Sequence, residues 1–149
     1  MGQLDPEKLS RGSILGLDTV VFVYFLEQHP RHYATSKRLF RRIEAGDLTG
    51  IISTLVFAEL LVPACRANDF ERAEILVQLV TDFPNIKVLP LSSEISVAAA
   101  RLRGAHGMRT PDAIHAATGL KMGAGGIITN DREFLKLAGL TDILLFDAD

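Results

Sequence analysis

The sequence predicts an α/β fold in which a parallel sheet is covered by helices on both faces. Three observations predict it. Short apolar runs rich in β-branched residues recur along the chain, helix-period segments separate them, and turn residues mark most of the junctions. The 149 residues suit one domain, and an apolar content of 48% gives it a core of its own.

Residues 1–12 are polar, contain a Pro and show no periodicity; they read as a flexible N-terminal extension ahead of a domain spanning residues 13–149. "SILGL" (13–17) suits a buried strand, and residues 18–28 are apolar on nearly every side, as a buried helix is. Residues 32–45 form a second helix, closed by Gly46 just past its end. Residues 49–52 are the next β-branched run, and Ser53 is placed to cap the helix that follows. That helix carries Val56, Glu59 and Leu60, and Pro63 bends or ends it. Residues 68–81 put Ala73, Leu76, Val77 and Val80 on one helical face. "IKVLPL" is a third strand-like run; Ser92 and Ser93 can cap a helix through residues 98–103, which "GAHG" breaks. In "RTPDAIHAATGL" (109–120), Thr110 is read as N-cap and Pro111 as the first helical residue. The turn "MGAGG" leads to the strand "IIT", a helix over 131–138 and a last apolar run, "DILLF".

A net charge of −2 argues against wholesale electrostatic capture of nucleic acid but leaves room for a local basic strip. The single cysteine, Cys65, fits a reducing compartment and is most simply a core residue. The apolar runs near 20–26 and 55–62 are too short to span a membrane and contain Tyr24 and Glu59; no signal-peptide pattern is visible. A soluble cytoplasmic protein is expected. A phosphate-binding G-x-x-x-x-G-K-[ST] loop is absent. Val20 stands where a dehalogenase-type phosphatase needs a second Asp, and "GLDTV" lacks the acidic pair of a receiver domain.

Four acids fall where such folds concentrate function. Asp18 directly follows the first strand and Asp131 follows "IITN", which places both at the carboxyl ends of strands, where open parallel sheets bind ligands. Asp112 opens a helix. Glu59 sits within "LVFAELLVPA", with no Lys or Arg inside one helical turn, so it should become neutral or find a cation from elsewhere. Taken singly, each has a structural explanation: Asp18 and Asp112 suit helix starts, Asp131 suits a first turn with Asn130 as cap and Glu133 completing it, and Glu59 suits a half-exposed helix face. Taken together, hard oxygen donors without thiolates or clustered imidazoles suit Mg²⁺ or Mn²⁺ and phosphoryl chemistry.

"LDTVVFVYFLE", "ISTLVFAELL", "RTPDAIHAAT" and "IITNDREF", in that order and covering the chain from Ile14 onward, resemble the PIN-domain family, and specifically its small VapC-type toxin ribonucleases. The resemblance implies a PIN-like three-layer sandwich: a parallel sheet of four or five strands between helices. It implies Mg²⁺-dependent endoribonuclease activity, with Mn²⁺ able to substitute. Asp18, Glu59, Asp112 and Asp131 would be the site acids; Asp18, Asp112 and Asp131 would hold the metal, and Glu59 would ligate it or activate the attacking water. Thr19 and Asn130 would support the metal shell, and Thr129 the strand end. Partners implied are RNA, a cognate antitoxin and a second copy of the chain in a homodimer. The alternatives are a stand-alone PIN nuclease and a non-catalytic PIN module that binds RNA or protein.

An acidic pocket needs basic residues beside it to accept RNA. Arg109, one turn before Asp112, is the leading candidate; Arg38 and Arg42, in "RHYATSKRLFRR", are the next, with a solvated helix face as the alternative. His115, one turn beyond Asp112, reads as an ordinary buried histidine, with a place leaning toward the site as the alternative.

Overall fold

The structure is a computed structural model and describes residues 2–148. Six parallel strands form its sheet: β1 (Gly2–Gln3), β2 (Ile14–Leu17), β3 (Thr49–Ser53), β4 (Ile86–Leu89), β5 (Gly126–Thr129) and β6 (Asp142–Leu145), in the spatial order β1-β6-β5-β2-β3-β4. Five were expected from apolar runs. The sixth, β1, belongs to the N-terminal segment, which is not the loose extension its polarity suggested. Gly2 and Gln3 pair with Leu144 and Leu145, Leu4 and Pro6 are buried, and Arg42 Nη1 donates to the Pro6 and Leu9 carbonyls at 2.8 and 2.5 Å. Backbone pairing and two carbonyl contacts leave no periodic signature, so the pattern of side chains could not reveal them.

Two cores form, one on each face of the sheet. α1 (Thr19–Leu26) and α2 (Tyr33–Glu44) bury Val21, Phe22, Leu39, Phe40 and Ile43 against Leu15, Leu17 and Ile128. α6 (Ser93–His106) and α7 (Thr110–Lys121) bury Ile95, Ala99, Ala113, Ala116 and Ala117 with Ile127, Ile143 and Leu145. Consecutive residues Ile127 and Ile128 serve opposite cores, as the two-residue strand period requires. The helix around Pro63 is interrupted as expected: α3 (Leu55–Leu60) ends before it and α4 (Val62–Arg66) restarts on it, followed by α5 (Phe70–Thr81). Ser92 caps α6 through its hydroxyl, 3.1 Å from Ile95 N. α6 runs past the expected break to His106, and only Gly107, at φ 68°, ends it in the left-handed region that glycine adopts without strain. Cys65 is exposed rather than in the core.

Two features position the site. The chain builds β2, β3 and β4 to one side and then returns to place β5 against the other edge of β2, so the strand order reverses between β2 and β5. A crevice opens at the carboxyl ends of strands at such a point. α7 is also drawn tightly onto β2: a Cβ added at Gly119 would lie 3.3 Å from the Gly16 backbone. Two glycines facing each other let helix and strand approach closely, which carries the start of α7 to the end of β2.

Candidate active site

Asp18 follows the last residue of β2 and caps α1, its Oδ1 accepting from Thr19 N at 2.8 Å. Its Oδ2 accepts from the Thr129 hydroxyl at 2.7 Å, from the end of β5. Its side chain is only 13% exposed. Burial pushes the Asp18 carboxyl above the usual carboxylate range, while nearby His115 and the bonds from Thr129 and Thr19 pull it back. Thr129 also accepts from Asp131 N at 3.0 Å, so one hydroxyl ties both strand-end acids together. Asp131 in turn caps the 3-10 helix Arg132–Leu137, Oδ1 accepting from Glu133 N at 2.9 Å. The capping role given to Asn130 therefore falls to Asp131.

At α7 the helix starts one residue earlier than expected. The Arg109 carbonyl accepts the first intrahelical bond, from Ala113 N at 3.0 Å, so Arg109 is the N-cap and Asp112 the third helical residue. Asp112 is buried. Arg109 donates to Asp112 Oδ2 through Nε at 3.3 Å and Nη2 at 3.2 Å, and Nη2 lies 3.2 Å from Asp131 Oδ2 as well. Burial pushes the Asp112 carboxyl up and neighbouring Asp131 adds to it, against the pull of Arg109.

Glu59, on α3, is not the desolvated acid its apolar neighbours suggested. Its side chain is 38% exposed, and Oε1 lies 2.7 Å from the Thr19 hydroxyl and 2.6 Å from His115 Nε2. The His115 bond holds the Glu59 carboxyl below its ordinary value, against the opposing effect of burial. The partner that no nearby Lys or Arg supplies comes from α7, three residues beyond Asp112 and on the same helical face. His115 belongs to the site rather than to an ordinary core.

Asp18, Thr19, Tyr24, Glu59, Arg109, Asp112, Asn130, Asp131 and Arg132 line one cavity. All four acids and Arg109 thus line the same cavity. Asn130 is placed beside them but faces away in its bonding. Its Nδ2 donates to the Tyr24 hydroxyl at 2.9 Å and to Asp147 Oδ2 at 3.1 Å, and its Oδ1 accepts from Asp147 N at 2.9 Å. It fastens the C-terminal segment to the end of β5.

Arg38 and Arg42 are not at the site. Arg42 is spent on the Pro6 and Leu9 carbonyls and on Asp47, 3.6 Å away, and Arg38 lies 4.0 and 3.9 Å from Asp5 and Glu7. Both face the N-terminal segment, whose packing their spacing on α2 serves. Arg132, which no sequence argument singled out, lines the cavity instead. Its position directly after Asp131 was the available signal.

The donors suit a hard divalent ion: carboxylate and hydroxyl oxygens, with no thiolate. Among the described residues, however, no three His, Cys, Asp or Glu side chains converge on one point as they stand. The reason is visible in the pairing. Asp18 and Glu59 are bonded to Thr129, Thr19 and His115, whereas Asp112 and Asp131 share the Arg109 guanidinium, a cation where the two acids require one. The donor chemistry suits a divalent ion, and the Arg109 guanidinium stands between two of the acids that would hold it.

A model of the PIN domain matches residues 16–140. The chain belongs to the PIN-domain family. Members of this family are nucleases, and the six-stranded parallel sheet between helices is consistent with the PIN fold. Solved structures with the same fold include VapBC2 from Rickettsia felis bound to a DNA fragment from its promoter (TM-score 0.67, 20% identity, 90% of this chain and 99% of that one). DNA-bound VapBC from Salmonella typhimurium is similar (TM-score 0.66, 19% identity, 91% and 98%). So is a toxin-antitoxin complex from Klebsiella pneumoniae (TM-score 0.64, 18% identity, 93% and 100%). A comparison with curated protein sequences returned no match. Among the described residues, no helix is long and apolar enough to cross a membrane.

Proposed function

We propose that this PIN protein is a Mg²⁺-dependent endoribonuclease, with Mn²⁺ able to substitute, and that it is the toxin of a type II toxin–antitoxin pair acting in the cytoplasm. The observation that carries the nuclease reading is the meeting of Asp18, Glu59, Asp112 and Asp131, from four separate elements, in one cavity at the sheet's reversal point. Buried acids with raised carboxyl pKa values are costly to keep ionised, and a site that keeps two of them side by side is built for a cation.

Asp18, Asp112 and Asp131 would hold the ion, which would supply charge stabilisation at the non-bridging phosphate oxygens and a lowered water pKa. Glu59, held ionised by His115, accepts the proton of the attacking water. As water oxygen bonds to phosphorus the P–O3′ bond breaks, leaving a 5′-phosphate, and solvent protonates the departing 3′-oxygen. Arg109 and Arg132, both exposed at the cavity rim, contact the flanking phosphates.

The toxin reading draws support from the solved toxin–antitoxin complexes that share the fold. It also draws support from an apolar surface on α5 and the end of α1, where Ile75 and Leu79 are about half exposed beside Leu26. That surface suits an apolar antitoxin segment, and a homodimer of the toxin is part of the same proposal. The test is incubation of purified protein with a generic RNA in Mg²⁺, in Mn²⁺ and in EDTA, with end-sequencing of products. Cleavage only with divalent ion, suppressed by a co-expressed neighbouring small protein, is the expected result. Binding of RNA without cleavage under any ion would favour a non-catalytic module.

A further inference from the structure

Glu59 Oε1 receives two contacts, from the Thr19 hydroxyl at 2.7 Å and from His115 Nε2 at 2.6 Å, while Oε2 has no protein partner among the described residues. The imidazole is 2% exposed at its side chain, packed in the buried stretch of α7. Its other nitrogen, Nδ1, is buried without any hydrogen-bond partner. A buried N–H with no acceptor is costlier than an unused lone pair, so the ring proton belongs on Nε2, facing the carboxylate. We propose that His115 is a positioning residue of this site: acting through Nε2 alone, it fixes Glu59 Oε1 and leaves Oε2 to receive the proton of the attacking water.

The surroundings require such an anchor. A glutamate on a six-residue helix, 38% exposed at the rim of a cavity, has several rotamers open to it, and Thr19 offers a single hydroxyl that also lies 3.4 Å from the same imidazole. Loss of His115 frees the carboxylate to turn toward solvent. Because Nδ1 has no partner, a side chain that reproduces only the Nε2–H donor can replace the ring. Glutamine does so; leucine fills the volume without donating.

This inference rests on the nuclease reading for its kinetic arm and is independent of it in its spectroscopic arm. In the kinetic arm, His115→Leu lowers kcat on RNA in Mg²⁺ by about tenfold or more with KM changed less than about threefold, and His115→Gln restores kcat to within about threefold of wild type. In the spectroscopic arm, long-range ¹H–¹⁵N spectra of the wild-type protein show His115 protonated at Nε2, with that resonance displaced by Glu59→Gln. Equal loss in both variants, full activity in both, or a ring protonated on Nδ1 alone would overturn the proposal. A wild-type protein inactive in both Mg²⁺ and Mn²⁺ overturns the nuclease reading instead, and the ring spectrum then decides the anchor on its own.

Discussion

Arg109 Nη2 stands 3.2 Å from Asp131 Oδ2 and keeps the same distance to Asp112 Oδ2, so one guanidinium bridges two acids that a divalent ion would also need. The Arg109 side chain is 70% exposed.

Removing this internal cation should therefore help the metal and hurt RNA. Exposed ion pairs are individually weak, so Arg109→Ala is expected to tighten Mn²⁺ binding only modestly, about two- to fivefold, by calorimetry. The same variant should bind RNA more weakly, with a salt dependence shallower by about one phosphate contact.

Asp112→Asn should separate activity from stability. Losing an oxygen donor at the centre of the site should lower cleavage by about 100-fold or more. Folded-state pKa values of Asp18 and Asp112 lie above their unfolded values, so each acid costs stability once pH rises through its folded pKa, and that cost vanishes below the unfolded pKa. The metal-free protein should thus gain stability from both acids as pH falls from neutrality toward the carboxylate range. Glu59 works in the opposite sense: its pKa is lowered, so its contribution is present above its unfolded value and lost on further acidification. At neutral pH, thermal unfolding of metal-free Asp112→Asn should occur at or above the wild-type temperature, and Mg²⁺ should raise the wild-type value only.

Gly119→Val tests whether close contact between α7 and β2 places the acids. A Cβ there already meets the Gly16 backbone at 3.3 Å, and the added methyls cannot be absorbed by a flexible side chain. Overpacking of this kind costs about 1–3 kcal/mol, read by denaturant melts, and should lower cleavage by shifting Asp112 and His115 together.

Deleting residues 1–9 should destabilise the fold measurably, lowering its denaturation midpoint. It strips β1 from the edge of β6, uncovers the core at Leu4 and leaves the Arg42 guanidinium without its two carbonyls. A truly loose extension would leave the midpoint unchanged.

The elements legible in the sequence were those whose signal is apolar period or cap chemistry: β2 through β6, the break at Pro63, the Ser92 cap and all four acids. What escaped was set by contacts distant in sequence. His115 looks like any core histidine until Glu59, 56 residues away, is brought to its Nε2. Arg42 looks like one of a basic cluster until the N-terminal carbonyls arrive. Asn130 reads only as an amide beside Asp131 until Asp147, 17 residues on, is brought to it by the fold. Position along the chain told which acids lie at strand ends, and only the fold told which groups hold them.

The most direct test is a crystal of the protein grown with Mn²⁺ and measured at the manganese absorption edge. An anomalous peak among the Asp18, Asp112 and Asp131 carboxylates, with the Arg109 guanidinium turned out of the cavity, is the predicted result. A cavity without a peak at saturating Mn²⁺, with Arg109 still bridging Asp112 and Asp131, would contradict it.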